Sequence, residues 1–175
     1  HMHAVADSTD LPVMVYDIPG RAGIAISNET MIKLADHPKI IANKDAKADP
    51  WAASLVMAKS DLAYYSGDDS LNLALLAIGA TGVVSVTGHI VADRHKAMVE
   101  AVAANDLETA RKINVGLVPI TEGIMTRVGG AIMVKAALDM LGRPGGGFLR
   151  LPLIPATQAQ RDQLRLDLVA GGFNL

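Results

Sequence analysis

Short apolar runs alternate with helical patterns along the first half of the chain. Each run is bounded by polar, Gly or Pro residues and is too short for a helix. Capping residues or a proline, followed by apolar residues at helical spacing, mark helices between the runs. The pattern predicts strands at residues 11–16, 40–42, 62–65 and 82–86, with helices after the Ser27–Thr30 capping signature, from Asp49-Pro50, and over 70–78. Strands that read as continuous apolar runs are typical of a parallel sheet covered by helices.

The second half of the chain reads as almost entirely helical. Apolar spacing predicts helices at residues 93–104, 106 to about 127, 130–141 and 157–170. The glycine-rich stretch 142–147 reads as a linker, because no strand precedes it and no Lys-Ser/Thr pair follows, as a phosphate loop would require. The sequence therefore predicts an α/β domain over residues 1–104 and a helical domain over 105–175.

Composition narrows the classes of function. No uncharged apolar run approaches the roughly 18 residues of a membrane span, although half of the 175 residues are hydrophobic. The absence of cysteine excludes disulfides and thiolate chemistry and fits a reducing cytoplasm. A net charge of −2, one Trp and two Phe offer no basic or stacking surface for nucleic acid. We therefore expect cytoplasmic chemistry on small molecules, without membrane or nucleic-acid partners.

Lys44 is the most informative single residue. It follows an apolar run in the segment Ile40-Ile-Ala-Asn-Lys-Asp-Ala46, which directs an amine toward a predicted interior. Lysine is rarely buried without a reason. Burial disfavours the charged form of an amine and favours a neutral nucleophile, which is what a Schiff base with a carbonyl substrate requires. The competing interpretation is that Lys44 only ends the strand and reaches water.

Other chemically useful residues follow the predicted strands. In barrels of alternating strands and helices, the working residues lie at the carboxyl ends of the strands. Tyr16 offers a phenol for proton transfer. The competing interpretation, which is the commoner case for a tyrosine in such a run, is a core aromatic with a satisfied hydroxyl. Arg21 offers a planar fork for a carboxylate, and Gly67 allows close approach of the backbone to a ligand. Together with Lys44, these residues suit the condensation of a keto acid with an anionic partner.

Several motifs, taken together, resemble the dihydrodipicolinate synthase family, most closely its actinobacterial members. Their order and spacing match, including the 28 residues from Tyr16 to Lys44. The motifs are Tyr16-Asp-Ile-Pro-Gly-Arg21, Asn43-Lys-Asp-Ala46, Tyr64-Tyr-Ser-Gly-Asp-Asp69, Gly82-Val-Val-Ser-Val86 and Val134-Lys-Ala-Ala-Leu138. The resemblance covers essentially the whole chain and corresponds to the C-terminal portion of the family.

This resemblance implies a fold. Residues 1–104 correspond to strands five to eight of a TIM (β/α)8 barrel, and residues 105–175 to the C-terminal helical region that helps to build a homotetramer. The segment 1–8 corresponds to the helix before strand five. The Gly-Thr-Thr-Gly-Glu segment of the first half, whose threonine passes protons to the tyrosine, is not in this sequence. We therefore expect a half barrel with two unpaired sheet edges, weakly active or inactive by itself.

The resemblance also implies roles for individual residues. Lys44 would form the imine with pyruvate, and Tyr16 would donate and accept protons. Arg21 would bind the carboxylate of aspartate semialdehyde, Val84 would face the bound pyruvate through its backbone, and Gly67 would line the pocket. The implied product is 4-hydroxy-tetrahydrodipicolinate, in lysine and diaminopimelate biosynthesis. No cofactor or metal is implied beyond the covalent imine.

Two alternatives stay open. Sugar-acid aldolases of the same superfamily, such as N-acetylneuraminate lyase or a keto-deoxy-gluconate aldolase, share the lysine and tyrosine but usually lack an arginine at position 21. A non-catalytic half barrel that serves as an assembly partner is the other.

Four further polar residues are expected to have structural roles only. Asp68 and Asp69 are expected to cap a helix that starts at Ser70. His89 is too isolated to indicate a metal, and Lys135 is expected to be structural.

Overall fold

A computed structural model describes residues 1–175. Residues His1–Val84 and Ser85–Leu175 form two compact units. The first unit contains α1 (Met2–Asp7), β1 (Val13–Asp17), α2 (Pro19–Ala22), α3 (Asn28–Ala35), β2 (Ile40–Asp45), α4 (Pro50–Met57), β3 (Ala63–Ser66), α5 (Asn72–Ala77) and β4 (Gly82–Val83). The second contains α6 (Gly88–Ala103), α7 (Leu107–Thr121), a π-helical turn (Glu122–Thr126), α8 (Gly130–Met140) and α9 (Gln158–Ala170).

The four strands form one parallel sheet in the order β1-β2-β3-β4. The strands are neighbours in space in the same order as in the sequence, and helices connect them. This confirms the predicted α/β class with a parallel, helix-covered sheet. Because all strands run the same way, their carboxyl ends meet at one edge of the sheet, where the chemically useful residues were predicted.

Local sequence signals explain the helix starts in this unit. The Ser27 side chain accepts a hydrogen bond from the Thr30 N–H, as the capping signature predicts. Asp49 caps α4 in the same way through the Ala52 N–H, and Pro50 occupies the first helical position.

The helices cover one face of the sheet. Val15, Ile40 and Tyr64 pack on that face with apolar residues of α3, α4 and α5, namely Met31, Leu34, Ala53, Val56 and Leu75. Successive residues of a strand point to opposite faces, and in β1 the residues on either side of Val15 are open: Met14 is 42% and Tyr16 39% exposed. The sheet therefore has one buried face and one open face, and Tyr16 lies on the open one.

The second unit is a helical assembly with its own core. Arg127 joins the π-helical turn to α9 through a two-pronged contact with Asp167, at 2.8 Å from Nε to Oδ2 and 3.0 Å from Nη2 to Oδ1. A side chain at Gly123 would come within 2.8 Å of the Asp167 Cβ, so this close approach requires glycine. No single helix is long and apolar enough to cross a membrane, although α7 with its π-helical turn and α8, bent by 120°, together meet that length and composition.

Several predicted boundaries need correction. Strand β2 runs to Asp45, so Lys44 lies within the strand and does not follow it. Strand β4 has only two residues, and the short helix α2 was not predicted. The boundary between the two compact units falls between residues 84 and 85 of the chain. The predicted division at residue 104 followed the strand-helix repeat, which counts α6 with β4, and it stays a prediction.

Candidate active site

Lys44 and Tyr16 form the centre of the candidate site. They are register partners on the neighbouring strands β1 and β2. The Lys44 Nζ lies 3.9 Å from the centroid of the Tyr16 ring, which is cation–π distance. At 39% exposure, Tyr16 is not a core aromatic. The open face of the sheet therefore presents an amine and a phenol in contact, and both can be reached from outside this unit.

Gly67 shapes the space around the lysine. It follows β3, and its N–H donates a 2.7 Å hydrogen bond to the Asp45 carbonyl. A Cβ at this position would stand 2.8 Å from the Lys44 Cγ and 2.9 Å from its Cε. The aliphatic stem of Lys44 thus lies directly against Gly67, and any larger residue would displace it. The sequence singled out Gly67 for the approach of a ligand, and that role stays a prediction. What the structure shows is that the missing side chain at this position makes room for the lysine stem.

The remaining strands extend the same row of residues. Tyr65 is the register partner of both Lys44 and Gly82. Val84 follows β4, is exposed, and donates its N–H to the Ser66 carbonyl at 2.7 Å. The ends of all four strands therefore contribute to one continuous edge, with Lys44 near its middle.

Arg21 lies in α2, in the segment that leaves β1. Pro19 occupies the first turn of this helix, and Gly23 ends it in the left-handed region with φ of 79°. The Arg21 side chain is exposed. The structure thus places Lys44 in contact with Tyr16 and against Gly67, and leaves Arg21 on the adjoining loop.

The sequence did not predict a buried ionic cluster that lies at the carboxyl ends of β1 and β2. Lys47 pairs with Asp17 at 3.1 Å, and Asp45 accepts a hydrogen bond from the Lys47 N–H at 2.9 Å. Burial raises the pKa of the Asp45 carboxyl above its ordinary value, and the Lys47 N–H partly offsets this rise. The only sequence signal was position, since Asp17 and Asp45 each follow a residue of the candidate site.

Tyr64 is the second tyrosine near the site but lies on the other face of the sheet. Burial raises the pKa of its phenol to about 12. It packs in the core between the sheet and the helices, so it is no candidate for proton transfer on the open face.

The other residues weighed from the sequence have structural surroundings. Asp68 accepts hydrogen bonds from the N–H and hydroxyl of Ser70, and Asp69 accepts one from Asn72. The expectation that they cap a helix at Ser70 was wrong, because α5 begins at Asn72 and has no side-chain cap.

His89 and Lys135 lie in the second unit. His89 contacts the Val86 carbonyl through Nδ1 at 2.9 Å, and Lys135 donates to the Phe148 carbonyl at 2.6 Å. No group of three or more His, Asp or Glu side chains is placed to hold a metal ion.

Sequence comparison identifies relatives along the whole chain. Residues 1–170 match the Dihydrodipicolinate synthetase family. A 4-hydroxy-tetrahydrodipicolinate synthase of Kineococcus radiotolerans is 52% identical over 173 residues, which are 99% of this chain and 56% of that protein. The 4-hydroxy-tetrahydrodipicolinate synthase 2 of Streptomyces coelicolor is 50% identical over 175 residues, which are 100% of this chain and 58% of that protein.

Solved structures give the same result. The structure of DHDPS from Cyanidioschyzon merolae with lysine bound matches with a TM-score of 0.92 and 39% identity, over 98% of this chain and 59% of that one. The chloride-inhibited dihydrodipicolinate synthase from Acinetobacter baumannii complexed with pyruvate matches with a TM-score of 0.91 and 33% identity, over 98% and 59%. The chain thus spans a little under three fifths of the length of these relatives. On the family match over residues 1–170, this chain belongs to the dihydrodipicolinate synthetase family.

Proposed function

We propose that this chain is the C-terminal part of a lyase that condenses pyruvate with L-aspartate 4-semialdehyde to give 4-hydroxy-tetrahydrodipicolinate. In this proposal, β1 to β4 are strands five to eight of a TIM (β/α)8 barrel, and the C-terminal helices follow the barrel. The observation that carries the proposal is the contact of the Lys44 amine with the Tyr16 ring on the open face of a parallel sheet. The synthase names of the relatives favour it over the sugar-acid aldolases.

Lys44 is the proposed nucleophile. Its unprotonated amine adds to the ketone carbon of pyruvate, and loss of water gives an imine. The imine withdraws electrons from the neighbouring methyl group, so that loss of a proton gives an enamine. The enamine carbon then attacks the aldehyde of the second substrate, and the aldehyde oxygen takes up a proton to become the hydroxyl of the product. The amino group of that substrate attacks the imine carbon in turn, which closes the ring, displaces the Lys44 amine and releases 4-hydroxy-tetrahydrodipicolinate. No cofactor or metal is needed, because the protonated imine acts as the electron sink.

Tyr16 and Arg21 are assigned the polar roles. The Tyr16 phenol, in contact with Lys44, gives and takes the protons that imine formation and enamine attack require. Arg21 binds the carboxylate of the semialdehyde with its guanidinium fork, from the exposed loop beside the site. Val84 and Gly67 line the pyruvate end of the pocket. The pyruvate complex of the A. baumannii protein supports pyruvate as the first substrate.

The proposed protein is a cytoplasmic homotetramer in the lysine and diaminopimelate pathway. Apolar residues on the outer surfaces of α7 and α9 are exposed in this chain, including Val115, Val118 and Leu166. Exposed apolar area of this kind is typical of subunit interfaces.

Replacing Gly67 with Ala tests the shape of the site. The new Cβ would overlap the Lys44 stem at 2.8 to 2.9 Å, so the amine must move. A misplacement of about 1 Å can cost roughly 10²-fold in rate. We expect the rate of imine formation with pyruvate to fall by about 10- to 100-fold. Borohydride trapping in the intact native protein measures this rate.

The matched control for this substitution is Gly129→Ala. Nothing lies within 4 Å of a Cβ added at Gly129, and its extended backbone, with φ of −168°, accepts any residue. We expect Gly129→Ala to leave imine formation unchanged. Equal rates for Gly67→Ala and wild type would mean that the lysine stem does not occupy the space shown.

Replacing Arg21 with Ala separates the synthase from the sugar-acid aldolases. A charge-assisted hydrogen bond is worth about 1.5–3 kcal/mol, so kcat/KM for the semialdehyde should fall by about 10- to 150-fold. The trapping of pyruvate should stay nearly intact, because the guanidinium does not touch Lys44. Arg21→Lys should restore only part of the loss, since an ammonium cannot make the two-pronged contact.

Arg150→Ala serves as the control, because Arg150 is exposed and lies outside α7 and α9. Steady-state kinetics with each substrate varied in turn give the answer. Weaker pyruvate capture with an unchanged semialdehyde dependence would show that the role assigned to Arg21 is wrong. Efficient cleavage of N-acetylneuraminate by the wild-type protein would favour the aldolase alternative.

A further inference from the structure

We propose that Lys47 is a positioning residue that, together with Asp17, fixes the loop carrying Arg21 beside the strand that carries Lys44. The proposal rests on the proposed function, because it assigns to Lys47 an effect on substrate binding through Arg21. The partners of the Lys47 amine are Asp17, Ile26 and Asn28, and none of them is a residue to which a chemical role is assigned.

The Lys47 amine is buried within a set of oxygen partners. Its side chain is 13% exposed, and that of Asp17 is 1% exposed. The Nζ lies 3.1 Å from the Asp17 Oδ2, 2.8 Å from the Ile26 carbonyl oxygen and 3.4 Å from the Asn28 Oδ1. A buried ammonium needs oxygen partners of this kind for its charge and its N–H groups. Removal of one partner of a buried ion pair leaves the other charge uncompensated.

Asp17 completes the arrangement from the other side. Its Oδ1 accepts a hydrogen bond from the Ile26 N–H at 3.1 Å. Both backbone polar groups of Ile26 are therefore bound, the N–H by Asp17 and the carbonyl by Lys47. The backbone of Asp17 also accepts the Ala46 N–H at 2.8 Å, which ties β1 to the turn that precedes Lys47.

These bonds close the loop at both of its ends. The loop leaves β1 after Asp17 and is bound again at Ile26, and Arg21 lies between these two points. Residues 20–25 are exposed, and the loop contains only the four-residue helix α2. Because the middle of the loop has little packing of its own, its position is determined at its ends, where Lys47 supplies the charge.

Proteolysis measures the positioning without any reference to activity. Trypsin must bind an extended segment around Arg21, so unfolding of α2 and release of the loop ends favour cleavage after Arg21. Cleavage of a transiently opened segment follows the population of the open form. Lys47→Met keeps the length and the apolar stem but removes the charge. We expect Lys47→Met to speed cleavage of the Arg21–Ala22 bond by roughly tenfold or more in the intact native protein. Mass spectrometry of the fragments follows this cleavage. Lys47→Arg, which keeps the charge, should restore most of the protection.

Lys33→Met is the matched control, since Lys33 is an exposed lysine of the first unit that pairs with Glu29 within α3. It should leave cleavage after Arg21 at the wild-type rate. If Lys47→Met is also cleaved at the wild-type rate, the proposal is overturned.

Lys47→Met could fail to fold, because it leaves Asp17 buried without its partner. The double variant Asp17→Asn/Lys47→Met removes both charges and addresses this case. We expect it to fold with a Tm near that of the wild type and still to be cleaved faster after Arg21, since the bond to the Ile26 carbonyl is lost. A wild-type Tm with wild-type cleavage would overturn the proposal.

Kinetics then connect the loop to the substrate. Lys47→Met should raise the KM for the semialdehyde about 5- to 50-fold, with pyruvate trapping within about threefold of wild type. Combined with Arg21→Ala, it should cause no further loss, because the two substitutions remove the same interaction. Full additivity of the two losses would mean that Lys47 acts on stability alone.

Different results would contradict the role proposed for Arg21 and the role proposed for Lys47. If Arg21→Ala itself leaves the semialdehyde dependence unchanged, the function proposed for Arg21 is wrong. Cleavage after Arg21 then still decides whether Lys47 fixes the loop.

Discussion

Lys44→Met is expected to abolish imine formation with pyruvate and to lower turnover by roughly 10⁴-fold or more, as the loss of a covalent nucleophile typically does. Methionine keeps an unbranched stem that can lie against Gly67 and the Tyr16 ring, so the local packing survives. It lacks the nitrogen lone pair that attacks the ketone. The substitution therefore removes the chemistry and leaves most of the structure in place.

Borohydride trapping measures this result directly. Imine formation joins the amine nitrogen to the ketone carbon of pyruvate and releases one water. Borohydride then delivers hydride to the imine carbon and fixes a secondary amine that survives digestion. We expect the intact wild-type protein to gain one three-carbon unit on the peptide that contains Lys44. The Lys44→Met protein should gain none.

Lys135→Met provides the control for non-specific labelling. Lys135 donates to a backbone carbonyl in the helical unit, and its removal should leave trapping complete. Undiminished labelling of Lys44→Met would disprove the assignment, and label on the peptide of Lys135 would move the nucleophile there. A wild-type protein that takes up no label would favour the non-catalytic alternative.

Much of the fold around the candidate site was predictable, because helix caps and apolar runs are signals that short stretches of sequence carry. Ser27 and the Asp49-Pro50 pair marked helix starts, and both cap as the sequence indicates. The apolar runs predicted a parallel sheet, and parallel strands bring residues at their carboxyl ends to one edge. The contact between Tyr16 and Lys44, 28 residues apart in sequence, follows from the adjacency of β1 and β2.

The rest depended on contacts that no local pattern encodes. The pairing of Lys47 with Asp17 joins residues 30 positions apart, and either one alone reads as a solvated charge. The late start of α5 was hidden because Asp68 binds Ser70 in a turn that resembles a helix cap. The open face of the sheet could not be predicted from periodicity, because continuous apolar runs do not distinguish the two faces.

Tyr16→Phe is expected to lower turnover by about 10²–10⁴-fold, the usual contribution of a general acid–base group, while the fold survives. Phenylalanine keeps the ring beneath the Lys44 amine and removes only the hydroxyl, so the cation–π contact is preserved. Tyr16 is 39% exposed, and removal of its hydroxyl therefore leaves no buried polar group without a partner. A loss of activity can then be assigned to proton transfer and not to packing.

Tyr64→Phe removes the same hydroxyl from the opposite, buried face of the sheet. The Tyr64 phenol, with its pKa raised to about 12, stays protonated at neutral pH. We expect turnover of Tyr64→Phe within about twofold of wild type, because the Tyr64 hydroxyl lies outside the proton path. Imine trapping and steady-state turnover, measured for both variants at equal folded fraction, make the comparison. Unchanged turnover of Tyr16→Phe would mean that the phenol only supports the lysine through its ring, and proton transfer would then have to come from another group or from water.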